Sequence, residues 1–240
     1  MRRRTSLASP SFGSGGDTPY DTAVHNGGGV LRLVDSAEGY EQHIELGRFL
    51  TAADAADLSV LSRAQGAILD IGCGPGRMVR AALLDGDVCL GIDVSPAAVD
   101  HATAQGLPVL RRSVWDPIPR EGEWGSALLL DGNIGIGDDP TALLARCAEL
   151  VGDDGSVFVE AHPDPWREVH LEATLVDGDG GTSDAFPWCE VGAAALAPSV
   201  AAAGLQILET WQHDERSFLH LRRAAADAPT AAEFSRDVPA

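Results

Sequence analysis

Basic residues are scarce in this chain. Its 240 residues include 17 Lys and Arg against 36 Asp and Glu, a formal net charge of −19. Proteins that bind nucleic acid need a basic face, so this balance argues against a nucleic acid partner and disfavours anionic membrane surfaces. An acidic excess usually reflects solubility. It therefore argues against a polyanionic substrate or partner and says nothing more about either.

Cysteines and long apolar runs are also scarce. The four cysteines form no C-x-x-C pair and are Cys73, Cys89, Cys147 and Cys189. This pattern is typical of reduced, buried thiols in a cytosolic protein. No stretch reaches the ~18 apolar residues of a membrane span, and no apolar run of signal length follows the basic start at 2–4. We therefore expect a cytoplasmic protein that does not insert into membranes.

Composition divides the chain into four parts. Residues 1–29, rich in Ser, Gly, Pro and Asp, are interpreted as a flexible tail. Within it, Tyr20 either folds back over a pocket or, as we prefer, tethers the tail to the surface. Residues 30–63 predict a β-hairpin over 31–46 and a helix over 52–62 capped by Thr51. The main domain spans 64–223, and a second flexible tail covers 224–240.

Apolar strands alternate with helices through the main domain. Predicted strands cover 67–71, 88–92, 109–111, 127–130, 156–160, 205–211 and 217–222, and predicted helices cover 77–84, 96–105, 140–150 and 191–203. Such alternation predicts a mostly parallel sheet with helices on both faces. The short turn at 212–216 forces an antiparallel pair at the end. The predicted fold is a doubly wound, three-layer α/β/α domain whose seven-stranded sheet has an antiparallel C-terminal strand.

The most informative motif is Leu69-Asp70-Ile71-Gly72-Cys73-Gly74-Pro75-Gly76. It predicts a buried strand, a tight glycine loop and the start of a helix. A dinucleotide site would need its third glycine at position 77, which is Arg77. The Asp70 carboxylate would repel a phosphate, and Pro75 removes one backbone N–H from a phosphate cradle. A ligand with an amino group and no phosphate, such as S-adenosyl-L-methionine, fits better; a glycine turn without a ligand is the alternative.

This motif resembles the first motif of class I S-adenosylmethionine-dependent methyltransferases, of a small bacterial type. The resemblance covers about 64–160, and the general pattern extends to about 223. It implies that Asp93 binds the ribose hydroxyls and that Val94 lies against the adenine. Asp93 follows Asp70 by 23 residues, about the distance seen in nucleotide-binding βαβ units. The alternative is that Asp93 caps the next helix, but Ser95 before Pro96 is the better cap.

Further candidates follow the third and fourth strands. The family often has an acid after the third strand, where this chain has Ser113, with Asp116 three residues later. Trp115 either covers the adenine or fills a core edge. The segment 131–137 faces the methyl donor in the family; the alternative is a plain connector. The predicted cofactor-binding residues are Asp70, Gly72, Cys73, Gly74, Gly76, Asp93, Val94, Ser113, Val114, Trp115, Asp131, Gly132 and Asn133.

Catalytic residues are harder to predict. His162, after the fifth strand, is the best group for titration near pH 7, although it also fits a solvated loop histidine. Asp131 and Asn133 are weak further candidates. The sequence also predicts an extra strand over 169–176 and places an aromatic segment at 186–188. Together with the N-terminal hairpin, these segments form either a lid over an apolar or aromatic substrate or a cover of an edge strand with no role in ligand binding. The histidines do not have a compact metal-ligand spacing, so no metal is expected.

The sequence thus favours in-line transfer of a methyl group from S-adenosylmethionine to a small-molecule acceptor by a monomer or homodimer. Such a reaction depends on alignment and needs a base only for some nucleophiles. A non-catalytic S-adenosylmethionine-binding regulatory protein is one alternative. An NAD-dependent oxidoreductase is a weaker one, because Asp70 and Arg77 disfavour it.

Overall fold

The computed structural model describes residues 11–14 and 18–224. The predictions for 1–10, 15–17 and 225–240 lie outside these residues. The strands are β1 (Val30–Asp35), β2 (Tyr40–Glu45), β3 (Ile68–Ile71), β4 (Cys89–Asp93), β5 (Val109–Arg111), β6 (Trp124–Leu129), β7 (Val151–Ala161), β8 (Glu168–Val176), β9 (Phe186–Val191), β10 (Leu205–His213) and β11 (Arg216–Arg223). The helices are α1 (Pro19–His25), α2 (Gly47–Leu50), α3 (Ala55–Leu61), α4 (Arg77–Asp85), α5 (Pro96–Ala104), α6 (Pro140–Leu150) and α7 (Ala193–Ala202), with a 3-10 segment at Asn133–Asp138.

The larger sheet has seven strands in the order β10-β11-β7-β6-β3-β4-β5. Strands β5, β4, β3, β6 and β7 pair in parallel. Strand β11 lies between β7 and β10 and is antiparallel to both. The predicted seven-stranded sheet with an antiparallel C-terminal strand is therefore confirmed.

Helices cover both faces of this sheet, as the strand–helix alternation predicted. On one face, α3, α4 and α5 bury side chains such as Val60, Val79 and Ala102 in one apolar core. On the other face, α6 and α7 bury Leu143 and Leu196 in a second core. Among the described residues, no helix is both long and apolar enough to cross a membrane.

A second sheet has four strands in the order β2-β1-β8-β9. The predicted hairpin forms β1 and β2, and the predicted extra strand forms β8, which pairs with β1 through contacts such as Leu33 with Leu175. The aromatic segment becomes β9, paired with β8. The sequence predicted β1, β2 and β8 as strands, but it gave 186–188 only as an aromatic segment. The pairing of β1 with β8 joins segments about 140 residues apart and depends on the tertiary fold.

Helix α1 corrects the prediction that residues 1–29 form a flexible tail. Thr18 caps this helix by accepting a hydrogen bond from the Asp21 N–H at 3.2 Å. Asp21 in turn accepts a hydrogen bond from Ser95 Oγ at 2.7 Å. Tyr20 is only 4% exposed, so its interpretation as a surface tether was wrong. The polar composition around α1 concealed a few apolar residues that are buried against α5 and the smaller sheet.

Helix α3 begins later than predicted. Its N-cap is Asp54, which accepts a hydrogen bond from the Asp57 N–H at 2.8 Å, and Asp57 accepts one from the Asp54 N–H at 3.0 Å. This reciprocal capping box replaces the predicted cap at Thr51. It also fixes Asp57, which is completely buried, so that its carboxylate contacts Arg77 and Arg216.

Candidate active site

A cavity of about 570 Å³ opens where the parallel strands of the larger sheet end. The loops after β3, β4, β5, β6 and β7 form its base, and the smaller sheet and α1 cover it. Ligands of open α/β sheets bind at this edge, and the volume lies in the ~300–1,000 Å³ range of small-molecule sites. All of the predicted cofactor residues except Gly76 line this cavity.

The glycine loop packs too closely for larger residues. Gly72 has φ +70°, and a Cβ there would lie 2.6 Å from Asn133 Nδ2. Gly76 has φ +90°, and its Cβ would lie 2.7 Å from Leu107 Cδ1. Gly76 therefore starts α4 and permits packing against the segment after α5. It does not line the cavity.

Asp70 is a buried carboxylate at the base of the cavity. Its side chain is 3% exposed, and no partner within the described part of the chain reaches its Oδ2 atom. Burial is the main cause that raises its pKa to about 8; Asp131 adds to the rise, and Arg77 opposes it. An unpaired buried carboxylate is costly, and a ligand cation would remove that cost.

Asp93 joins the glycine loop to α5. Its Oδ2 atom accepts a hydrogen bond from the Gly74 N–H, and its Oδ1 atom accepts one from the Ser95 N–H, both at 2.8 Å. Burial raises its pKa, and these N–H donors oppose the rise. Ser95 caps α5, as predicted, through a hydrogen bond from the Ala98 N–H. Asp93 is therefore not free, but each carboxylate oxygen has a further lone pair available for a ligand.

The loop after β5 forms one wall of the cavity. Ser113, Val114 and Trp115 line it, whereas Asp116 does not. Asp116 instead accepts a hydrogen bond from the Ser113 N–H at 3.0 Å, which closes the turn. Trp115 packs against the second core, and its buried Nε1 atom has no partner among the described residues. Both interpretations of Trp115 thus keep support, since it fills a core edge and borders the cavity.

The loop after β6 is rigid and strained. Asp131 has φ +54°, and its carboxylate contacts Arg48 at 2.6 Å, Arg77 at 2.7 Å and Arg216 at 3.5 Å. Asn133 Nδ2 donates hydrogen bonds to the carbonyl oxygens of Ile71 and Gly72, at 2.9 and 3.0 Å. In this structure both weak catalytic candidates have partners that hold the loop against the glycine motif.

A buried ion network supports this loop. Arg77 is 5% exposed and contacts the buried Asp57 at 3.2 Å. Arg216 contacts Asp57 at 2.8 Å and Glu160 at 2.7 Å. Burial lowers the pKa of Arg216, but Glu160, Asp131 and Asp57 together outweigh burial, so the net shift of the pKa is upward. The sequence analysis missed this network, since its members lie far apart in the chain and carry no motif.

Tyr20 is the other residue whose role the sequence concealed. It lines the cavity, and its hydroxyl lies 3.2 Å from the position of a Cβ built on Gly74. Burial raises the pKa of Tyr20 well above its usual value, and Asp93 adds to the rise. Tyr20 thus places a neutral hydroxyl beside the glycine loop.

Apolar and polar side chains outside the predicted cofactor residues also line the cavity. Ile44, Phe49 and Trp188 supply apolar surface. His162 lines the cavity too, but its Nδ1 atom accepts a hydrogen bond from the Asp164 N–H at 3.1 Å. A neutral His162 then carries its proton on Nε2, so neither ring nitrogen is available as a base unless that bond breaks.

The chain matches no protein-family model. It is 29% identical over 178 residues to a release factor glutamine methyltransferase from Rhodospirillum rubrum. The match covers 72% of this chain and 49% of that protein, so the chain spans about half the length of the curated relative it matches.

Solved structures resemble the chain in fold. A methyltransferase from Bacteroides fragilis, in complex with S-adenosyl-L-homocysteine, has a TM-score of 0.71 at 18% identity, covering 86% of this chain and 95% of that one. The Burkholderia thailandensis 1,6-didemethyltoxoflavin-N1-methyltransferase has a TM-score of 0.54 at 17% identity, covering 71% of this chain and 77% of that one. With the observed strand order, these similarities establish that the chain has the fold of class I S-adenosylmethionine-dependent methyltransferases.

Proposed function

We propose that the protein transfers a methyl group from S-adenosylmethionine to a small molecule. The observation that carries the proposal is the Oδ2 atom of Asp70, which is buried beneath the glycine loop and has no partner among the described residues. This atom calls for a cationic partner at the place where a dinucleotide would put its pyrophosphate. The same carboxylate opposes the alternative of an NAD-dependent oxidoreductase.

The residues around the cavity fit S-adenosylmethionine from end to end. Asp70 would pair with the ammonium group of its methionine part. Asp93 would accept hydrogen bonds from the ribose hydroxyls, because its two oxygens are already oriented by Gly74 and Ser95. Val94 and Trp115 border the space where the adenine would lie.

Transfer requires alignment more than acid–base chemistry. When bound, S-adenosylmethionine supplies an activated methyl group on a positively charged sulfur. The chain's part is to hold the acceptor in line with that group, which is worth up to ~7–11 kcal/mol in well-oriented reactions. The Asp131 carboxylate, fixed by three arginines, gives the cavity a rigid wall. His162 would serve as a base only after releasing the Asp164 N–H.

The acceptor would lie between the loop after β7 and the smaller sheet. Ile44, Phe49 and Trp188 favour an acceptor with apolar or aromatic surface. The covered cavity favours a small molecule over a nucleic acid, in keeping with the acidic charge. The cytoplasmic location, the domain boundaries at 63/64 and 223/224 and a monomeric or homodimeric state stay predictions.

Calorimetry with S-adenosylmethionine, S-adenosylhomocysteine and NADH tests the cofactor. We expect the first two to bind and NADH not to bind; binding of NADH alone would refute the proposal. Incubation with a labelled methyl donor and metabolite extracts then tests the transfer, with a release factor preparation as the protein acceptor. Labelling of a metabolite supports the proposal, whereas labelling of the protein alone would overturn the small-molecule acceptor. Donor binding without any labelled product would instead favour the non-catalytic regulatory alternative.

A further inference from the structure

Three potential metal ligands meet outside the proposed cofactor site. They are Asp138, at the end of the 3-10 segment, His170 in β8 and Cys189 in β9. We propose that these three side chains form a zinc site. The proposal contradicts the sequence-based expectation of no metal, which considered only spacings between histidines.

The fold brings the three ligands together from distant parts of the chain. His170 and Cys189 are partners in the β8–β9 register, and directly opposite residues project from the same face of a sheet. Asp138 has φ +57°, and its Oδ1 atom is hydrogen-bonded to His170 Nδ1. One potential ligand atom from each residue lies within 4.8 Å of the others.

The ligand atoms lie close enough to share one zinc ion after side-chain movement. Zn–S, Zn–N and Zn–O bonds of about 2.3, 2.0–2.1 and 2.0–2.2 Å place tetrahedral ligand atoms roughly 3.4–3.6 Å apart. Zinc would therefore replace the hydrogen bond between Asp138 Oδ1 and His170 Nδ1. The mixture of thiolate, imidazole and carboxylate is one that zinc accepts. Three protein ligands leave a fourth position for water.

The surroundings favour a cation. Asp138, Glu168 and His170 line a second cleft, together with Asp139. On zinc binding, the Cys189 sulfur would bind the metal as a thiolate and its proton would pass to solvent.

Zinc here would join the loop after β6 to the smaller sheet. Asp138 ends the segment that begins next to Gly132, and β8 and β9 belong to the cover of the cavity. The ion would thus stabilise the cover of the cavity through Cys189, which lines the cavity, although none of the three ligands is a predicted cofactor residue. We expect the Tm of the full chain to rise when zinc is added after treatment with a chelator.

Zinc titration of the chelator-treated full chain, in competition with a chromophoric chelator, tests the site. We expect one zinc per chain, and Co²⁺ in its place should give a thiolate-to-cobalt charge-transfer absorption. Loss of a residue that hydrogen-bonds to a metal ligand lowers metal affinity about 10–100-fold. Loss of a ligand itself, in His170→Ala or Cys189→Ser, should therefore lower the zinc affinity by more than that. Cys189→Ser should also abolish the cobalt absorption.

Two matched variants serve as controls. Cys147→Ser changes another buried cysteine, and His213→Ala changes another histidine beside a carboxylate, Asp214 at 3.3 Å. Both should keep the zinc affinity and the cobalt absorption. His170 is half exposed, so His170→Ala should fold even if Cys189→Ser does not. Zinc binding well below one per chain, or unchanged affinity in His170→Ala, would overturn the proposal.

Discussion

Replacing Asp70 by asparagine separates stability from ligand binding. The unfolded chain ionises Asp70 with a pKa of 3.8, whereas the folded protein raises that pKa to about 8. Folding at neutral pH therefore takes up a proton, which costs free energy. An asparagine side chain has nothing to protonate, so Asp70→Asn should make the ligand-free protein more stable. It should also weaken S-adenosylmethionine binding, since the ammonium loses its carboxylate partner.

The size and the pH dependence of the stability gain follow from the pKa. Because the pKa of Asp70 is raised in the folded protein, the stability associated with its protonated form is fully present below pH 3.8. That stability is lost as the pH rises through about 8, where the folded protein must ionise the buried carboxyl. At about 1.4 kcal/mol per pKa unit, the gain from Asp70→Asn should be near zero at pH 4 and about 4 kcal/mol at pH 7. For a chain of this size, about 4 kcal/mol corresponds to a Tm rise of roughly 8–16 °C.

The assay combines thermal unfolding between pH 4 and pH 9 with calorimetric titration of S-adenosylmethionine. A hydrogen bond to a charged group is worth about 1.5–3 kcal/mol, so affinity should fall about 10- to 150-fold. Asp35→Asn is the matched control: Asp35 is buried but accepts hydrogen bonds from the Ala37, Glu38 and Glu172 N–H groups, which lower its pKa. That variant should lose stability and keep its affinity. A lower Tm for Asp70→Asn at pH 8, or an unchanged affinity, would refute the reasoning.

Three further substitutions test other parts of the site. Gly72→Ala should lower stability by about 1–3 kcal/mol and weaken S-adenosylmethionine binding, because its Cβ would overlap the Asn133 amide. Thermal unfolding measures the first effect and calorimetry the second. An unchanged stability and affinity would contradict the packing argument. Tyr20→Phe should keep its Tm but change the affinity for S-adenosylmethionine, since only a hydroxyl on a cavity-lining residue is lost. Equal calorimetric titration curves for the variant and the parent protein would exclude a role of this hydroxyl in cofactor binding. Arg216→Met should lower the free energy of unfolding in urea by about 3–5 kcal/mol, because it removes the arginine partner of the largely buried Glu160. Arg120→Met in the exposed Arg120–Glu123 pair should change it by less than about 1 kcal/mol.

The fold of the main domain was predictable because its signals are local. Each parallel strand contains a short apolar run, and α5 starts at a visible cap, Ser95 followed by Pro96. The short turn before β11 required an antiparallel pair. Helix α1 escaped prediction because its few apolar residues show no periodicity within a polar segment, and only the tertiary contacts with α5 and the smaller sheet bury them.

The candidate site was predictable in part. The Asp70 motif and Asp93 were found because glycine spacing and an acid at a strand end are visible in one dimension. The partners of Asp131 and Asn133 could not be predicted from the sequence. Arg77 and Arg216 reach Asp131, and the Ile71 carbonyl reaches Asn133, only in the folded protein. Their candidate roles in catalysis rested on position alone, and the structure gives both side chains bonds that hold the loop.

The sequence by itself determined the order of strands and helices, the glycine loop and the two acids that flank it. These features depend on neighbouring residues, whose steric and hydrogen-bonding preferences act within a few positions of the chain. Only the tertiary structure decided which charges are buried, which carboxylates have partners and which side chains cover the cavity. It also assembled Asp138, His170 and Cys189, because burial and side-chain contact depend on distances in space.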